Sequence, residues 1–217
     1  MNDYLRPIYL QSIWETLFMA LITLVIGGIC GLVLGNLLYA TRRGGLLANK
    51  VVHTILNIIV NIIRPIPFII FMTAIAPLTL KVIGTTIGVR AATFPLCIAA
   101  TFAISRIVEQ NLVTVDPGVI EAARAMGAGP WRILFDVVAR EALGPLILGY
   151  TYILIAIVDM TAIAGALGGG GLGQFAITYG YQRYNWAVTA IAVVTIIIVV
   201  QLAQFLGNWL ARRALRR

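Results

Sequence analysis

The feature that most constrains this chain is an apolar run without a charged residue from Thr16 to Thr41, which is followed by several similar runs. Such a run can cross a bilayer, which takes about 20 apolar residues. Only 11% of the 217 residues are charged, whereas 60% are hydrophobic. A water-soluble domain, normally about a quarter charged, is therefore excluded, and so is intrinsic disorder. We predict an all-α integral membrane protein.

The apolar runs predict five transmembrane helices in a single domain that takes up residues 1–217. Their approximate bounds are 12–40, 55–80, 86–108, 143–166 and 187–210. The second span is predicted to break at Arg64, Pro65 and Pro67, because proline removes a helical donor and disfavours α geometry in the residue before it. A break at membrane depth is tolerated only in protein or beside a cavity, so these three residues are candidates for a pathway.

Basic residues predict the orientation of the five spans, because lysine and arginine are retained on the cytoplasmic side. Ten basic residues fall on the side of the C-terminus: Arg42, Arg43, Lys50, Arg124, Arg132, Arg140, Arg212, Arg213, Arg216 and Arg217. Four fall on the other side: Arg6, Lys81, Arg90 and Arg183. We therefore expect the N-terminus outside and the C-terminus in the cytoplasm. Within the first span, the spacing of Gly27, Gly31 and Gly35 favours close approach of another helix.

The sequence offers no catalytic or metal site. Its single histidine, His53, has no matching nucleophile and acid, and its two cysteines lack the spacing of metal ligands. Asp159 is the only acid well inside a span. It is either a functional residue, as intramembrane acids often are, or a structural one paired with Arg90 or a tyrosine hydroxyl. Both interpretations stay open.

The polar segment 112–142, between the third and fourth spans, is predicted to hold short cytoplasmic helices. Asp116 is a good N-cap, Pro117 suits the first helical position, and Gly127 suits the position just after the helix. The helix between them is too short to span a membrane. Its small side chains favour docking in the groove of a partner, and the alternative is a helix that lies on the membrane surface.

The polar segment contains Glu121-Ala122-Ala123, which is followed by Gly127 and later by Pro145. This pattern resembles the EAA loop of the binding-protein-dependent ABC importer permease family. Further motifs resemble its methionine-uptake branch, which has five helices: Trp14-Glu15-Thr16-Leu17, Arg64-Pro65-Ile66-Pro67-Phe68, and Gly170-Gly171-Leu172-Gly173-Gln174. One departure is the stretch 138–142, which lacks the Leu-Pro pair common in the family loop and leaves the kink there open.

The resemblance implies a non-catalytic permease in the bacterial inner membrane that imports L- or D-methionine. The docking residues for the ATPase would be Pro117, Glu121, Ala122, Ala123, Arg124, Met126 and Gly127. The implied partners are a second copy, two ABC ATPase subunits, an external substrate-binding lipoprotein and membrane lipid, but no nucleic acid. No cofactor is expected, since ATP and magnesium would be bound by the ATPase. The alternatives are a permease for phosphonate or glycine betaine, or a self-contained secondary carrier.

The glycine-rich segment after the fourth span, which includes Gly170, Gly171 and Gly173, does not match a phosphate-binding loop. Such a loop carries a lysine followed by serine or threonine, and this chain has no lysine after Lys81. We expect a flexible external connector that packs against helix ends or contacts the delivering protein.

Overall fold

The structure is a computed structural model that describes residues 3–215. Two residues of the predicted charge count, Arg216 and Arg217, lie outside the described residues. Within that range the chain is almost entirely helical and holds no β-strand, which confirms the all-α prediction. In chain order the α-helices are α1 (Leu5–Thr41), α2 (Lys50–Ile63), α3 (Phe68–Ala74), α4 (Ala76–Ile83), α5 (Val89–Val113), α6 (Pro117–Ala125), α7 (Pro130–Arg132), α8 (Ala139–Glu141), α9 (Leu143–Ala164), α10 (Gly171–Gln174) and α11 (Trp186–Leu215).

Four segments of the described chain are long and apolar enough to cross a membrane unbroken: Leu5–Thr41, Val89–Val113, Leu143–Gly169 and Trp186–Ala214. A fifth crossing is made if α2 and α3, which meet at 105°, count as one span. The bend falls at the predicted break, since Arg64 ends α2 and Pro67 precedes α3. A second break, at Ile75 between α3 and α4, was not predicted.

Helix α1 starts at Leu5, earlier than the predicted span, because a helix can extend past the hydrocarbon core into the polar headgroup region. Pro7 lies in its first turn, where the missing N–H has no helical acceptor in any case. Helix α11 likewise continues past residue 210. The apolar pattern therefore predicted the spans, whereas the helices that contain them are longer.

The three glycines of α1 face α5, which confirms the predicted packing face. A Cβ added at Gly31 would lie 2.7 Å from the Cβ of Ile104 and 2.9 Å from the carbonyl oxygen of Thr101. One added at Gly35 would lie 2.6 Å from the carbonyl oxygen of Ser105. The two backbones thus approach so closely that only glycine fits between them.

We expect Gly31→Ala to destabilise the protein by about 1–3 kcal/mol through overpacking against α5. Helix propensity alone would favour alanine, so a loss of stability in this variant would come from the packing against α5. Thermal denaturation in detergent measures the effect. Gly129→Ala is the matched control, because a Cβ there meets nothing within 4 Å. Equal stability of the two variants would contradict the close α1–α5 contact.

The main apolar core lies between α1, α5 and α9, and it continues into the polar segment at one end of the bundle. Tyr39 and Ala40 of α1 belong to the same buried cluster as Leu112 of α5 and as Val138 and Ala142 near the start of α9. That end of the molecule also carries α6, and it is called the α6 end below.

A candidate docking helix, a glycine loop and two isolated charges

Helix α6 has the ends that the sequence predicts. The Asp116 Oδ1 atom accepts a hydrogen bond from the backbone N–H of Gly118 at 2.7 Å, and Pro117 takes the first turn. Past the other end, Gly127 has a φ of +79°, and its N–H donates to the carbonyl oxygen of Arg124 at 2.9 Å. Both ends are therefore fixed by local hydrogen bonds, and the helix is held at a defined length.

Helix α6 exposes nearly all of its predicted docking residues. Only Ala123 is buried, with 3% of its surface accessible, whereas Met126 is 82% exposed. The remaining members of the set are exposed as well: Pro117, Glu121, Ala122, Arg124 and Gly127. The structure thus gathers all seven on α6 and the turn after it, where the small residues Ala122 and Gly127 are exposed beside the longer Glu121, Arg124 and Met126.

The buried side of α6 joins it firmly to the bundle. Ala123 belongs to the main core cluster together with Ile133, Leu134 and Val138, which lie on the π-helical turn Ile133–Val138. The carbonyl oxygen of Ala123 also accepts a hydrogen bond from the N–H of Ala128 at 3.0 Å. Helix α6 is therefore packed against the turn that leads into α9. This chain lacks the proline that is common in the family loop, and its backbone is helical through residues 138–141.

A cleft that the sequence did not predict opens beside α6. Its volume is about 490 Å³, and its lining includes Ala123, Met126 and Gly127 on one side. On the other side Asp136 lies 3.9 Å from both Arg132 and Arg140, and all three side chains are largely exposed. The helical spacing of these charges was visible in the sequence, but the cleft arises only because the chain turns back after Gly127.

The other predicted site residues lie away from α6. Arg64, Pro65 and Pro67 are exposed at the bend between α2 and α3. Asp159 is exposed on α9, and Arg90 is exposed on α5. Among residues 3–215, Asp159 takes part in no ion pair, so the proposed pairing with Arg90 is absent within the chain.

The glycine-rich segment is packed against helix ends at the opposite end of the bundle. Gly170 and Gly171 have φ angles of +87° and +78°, which glycine adopts without strain. The Gly171 N–H donates to the Glu15 Oε2 atom at 2.7 Å, and the Leu172 N–H donates to the Thr16 Oγ1 atom at 2.8 Å. Gly173 is buried against the backbone of Ala162. The segment is held more closely than the expected flexible connector.

A polar cluster between α2 and α5 was predicted only in part, as a pairing of Arg106 with Glu109. The Arg106 Nη1 atom donates to the Glu109 Oε2 atom at 2.5 Å. Its Nη2 atom donates to the side-chain oxygens of Asn57, at 3.0 Å, and Asn61, at 2.5 Å. The asparagines, four residues apart on α2, could have indicated this contact.

The sequence of this chain is similar to those of known transport proteins. Residues 27–216 match the family described as "Binding-protein-dependent transport system inner membrane component". The chain is 41% identical over 204 residues to the probable D-methionine transport system permease protein MetI of Vibrio cholerae, covering 94% of this chain and 91% of that relative. It is 42% identical over 211 residues to the methionine import system permease protein MetP of Bacillus subtilis, with 95% of each chain covered.

The fold is also similar to those of solved transporter structures. The fold is similar to a chain of the MetNI methionine ABC transporter in an inward-facing conformation, with a TM-score of 0.95 and 41% identity over 99% of both chains. A chain of an amino acid ABC transporter shares the fold at 20% identity, with a TM-score of 0.80 over 98% of this chain and 99% of that one.

Proposed function

Because the chain belongs to the family of binding-protein-dependent transport system inner membrane components, we propose that it is the membrane-spanning subunit of an ATP-driven methionine importer. Relatives at 41% and 42% identity are described as methionine transport permeases, and they align with nearly the whole chain. This supports methionine, as the L- or D-isomer, over phosphonate or glycine betaine. The same similarity to methionine transport permeases disfavours a self-contained secondary carrier.

The observation that carries this proposal is the exposed, doubly capped helix α6. A helix with Ala122 on its free surface, followed by the exposed Gly127, lets the walls of a groove approach the backbone, while Ala123 anchors it to the core. Such a rod suits docking to an ATPase subunit, which this chain would need because it is proposed to have no catalytic activity of its own. ATP and magnesium would be bound by the ATPase.

In the assembled importer, two copies of the chain form the pathway, and each α6 docks one ATPase subunit. Closure of the ATPase dimer moves both α6 helices, and the movement passes through Ala123 and the turn Ile133–Val138 to α9. The bundles tilt from an inward-open to an outward-open state. ATP must favour one of these two states by several kcal/mol to invert their populations. The ATPase supplies this difference by docking α6 more tightly in one state than in the other.

The orientation completes the proposal. With α6 in the cytoplasm, the C-terminus lies inside and the N-terminus outside the inner membrane, in agreement with the distribution of basic residues. The glycine-rich segment then faces the exterior, where a substrate-binding lipoprotein would release its cargo into the gap between the two copies.

Uptake by reconstituted liposomes tests the proposed function. We expect concentrative, ATP-dependent uptake of radiolabelled methionine only when the chain is combined with its ATPase subunit and binding protein. The chain alone should give no accumulation, since nothing in it consumes energy. Concentrative uptake by the chain alone, or none by the full assembly, would contradict the proposal.

A further inference from the structure

An open groove of about 450 Å³ runs along the outside of the bundle, beside the contact between α1 and α5. Phe18 and Cys30 of α1 belong to one wall, and Phe94 and Ile98 of α5 belong to the other. Cys30 is exposed, and Phe18 has 37% of its surface accessible. This surface, called the α1–α5 groove below, is therefore open to whatever surrounds the bundle.

The hydroxyl groups of the groove are already bonded within α5. The Thr93 Oγ1 atom donates to the carbonyl oxygen of Val89 at 2.7 Å, and the Thr101 Oγ1 atom donates to that of Cys97 at 2.8 Å. Among the described residues that line the groove, Arg90 is the single charged one. Apart from Arg90, the lining thus suits a hydrocarbon chain, which brings no polar group of its own.

Arg90 lies at the end of the groove that is farther from α6. Helices α1 and α5 run in the same direction, because both end at the α6 end. A Cβ added at Gly27 would lie 3.0 Å from the Cβ of Ala100, so these two residues are at the same level. Phe18 and Arg90, nine and ten residues earlier, are therefore level as well, at the mouth of the groove.

The length of the groove matches the thickness of one membrane leaflet. Its lining on α5 extends from Arg90 to Thr101, eleven residues later, which is about 16 Å along a helix. On α1 it ends at Cys30, next to Gly31, which packs against the carbonyl oxygen of Thr101. Half of a hydrocarbon core of about 30 Å is about 15 Å. With Arg90 at the level of the headgroups, the groove thus ends near the middle of the membrane.

The charge of Arg90 is not neutralised within the described chain. Arg90 is exposed and takes part in no ion pair among residues 3–215. Glu15, three residues before Phe18, is engaged elsewhere, since its carboxylate accepts hydrogen bonds from the Gly171 N–H and from the Gln11 Nε2 atom, both at 2.7 Å. The groove therefore complements a headgroup with a net negative charge, and its described lining offers no acid to the ammonium group of a zwitterionic one.

We propose that the α1–α5 groove binds one anionic phospholipid in the leaflet opposite the α6 end. The Arg90 guanidinium donates hydrogen bonds to the lipid phosphate, a charge-assisted pairing that suits the geometry of arginine. One acyl chain lies along Phe94 and Ile98 and reaches Cys30. Basic residues beside grooves between membrane helices bind anionic headgroups in the same way. The site concerns the lipid-facing surface of the chain, so it does not depend on which solute is transported.

Photoactivatable lipids test the headgroup contact and locate the acyl chain. The full chain is reconstituted in phosphatidylcholine vesicles with phosphatidylglycerol that carries a diazirine at the end of one acyl chain, and mass spectrometry of the digested protein locates the crosslinks. We expect crosslinks at Cys30 and Thr101, and Arg90→Gln should lower their yield about fivefold.

The matched control for Arg90→Gln is Arg183→Gln, because Arg183 is exposed at the same end of the bundle but does not line the groove. Its crosslinks should equal those of the wild-type protein. The same diazirine on phosphatidylethanolamine should give a lower yield at Cys30 than on phosphatidylglycerol. Equal yields from the two lipids, or from Arg90→Gln and the wild-type protein, would overturn the proposal.

Two further variants test whether the acyl chain lies in the groove. Cys30→Trp places an indole at its deep end and should abolish the crosslink to Thr101. Leu21→Trp is the matched control, because Leu21 is 61% exposed on α1 but does not line the groove. A crosslink to Thr101 that persisted in Cys30→Trp would overturn the proposal.

A second copy of the chain is the other occupant that the experiments distinguish. A benzoylphenylalanine at position 26, a groove residue that is 48% exposed, should crosslink to phosphatidylglycerol in the same vesicles. A crosslinked dimer in place of the lipid product would overturn the proposal, because the partner copy would then fill the groove.

Discussion

Ala122→Trp is expected to abolish ATP-driven uptake while the bundle stays folded. Ala122 is exposed on α6, and an indole there would hold the walls of a docking groove away from the backbone. A docking loss of about 3 kcal/mol, as at a typical hot spot, lowers the affinity for the ATPase roughly 100-fold. Co-purification with the ATPase subunit and uptake by liposomes measure the two effects.

The control for Ala122→Trp is the same change at Ala187, which is exposed at the other end of the bundle. Ala187→Trp should bind the ATPase like the wild-type protein. Ala123→Trp serves a different purpose, because Ala123 is buried and the variant should be less stable. If Ala122→Trp retained wild-type affinity for the ATPase, α6 would not be the docking element.

The second large effect is expected from Arg106→Leu. The guanidinium of Arg106 bonds Glu109, Asn57 and Asn61, and Glu109 is only 9% exposed. Its removal leaves a buried carboxylate without its cation, which costs about 3–5 kcal/mol. Thermal denaturation of the purified complex in detergent measures the loss.

A double variant separates the buried charge from the other contacts of Arg106. Arg106→Leu combined with Glu109→Leu removes both charges, and it should regain most of the lost stability, because apolar replacement of a buried pair is often neutral. If Arg106→Leu alone were as stable as the wild-type protein, Glu109 would not depend on this ion pair.

The parts of the fold that the sequence predicted depend on local physics. The caps of α6 at Asp116 and Gly127 follow from backbone geometry within a few residues, and so does the break at Pro65 and Pro67. The packing face of α1 was equally readable, because a glycine every four residues has few other uses in a membrane helix. The break at Ile75 could also have been found, since Pro77 stands two residues later.

Other features depend on contacts between residues far apart in the chain. Glu15 holds the N–H of Gly171 across a separation of 156 residues, and no local pattern indicates that contact. The cleft beside α6 likewise exists only because Arg132 and Asp136 return beside Met126 and Gly127. For Asp159, the sequence left two roles open. The absence of an ion pair to Asp159 within residues 3–215 removes the pairing with Arg90.

The most direct test of the central claim is site-specific photocrosslinking from position 126, a residue of the docking set that is 82% exposed. A benzoylphenylalanine placed there in membranes that also contain the ATPase subunit should give a crosslinked permease–ATPase product whose yield changes on addition of ATP. The same probe at position 183, at the opposite end of the bundle, should give none. Crosslinks from position 126 to lipid alone would contradict the account, because α6 would then lie on the membrane and not in a partner.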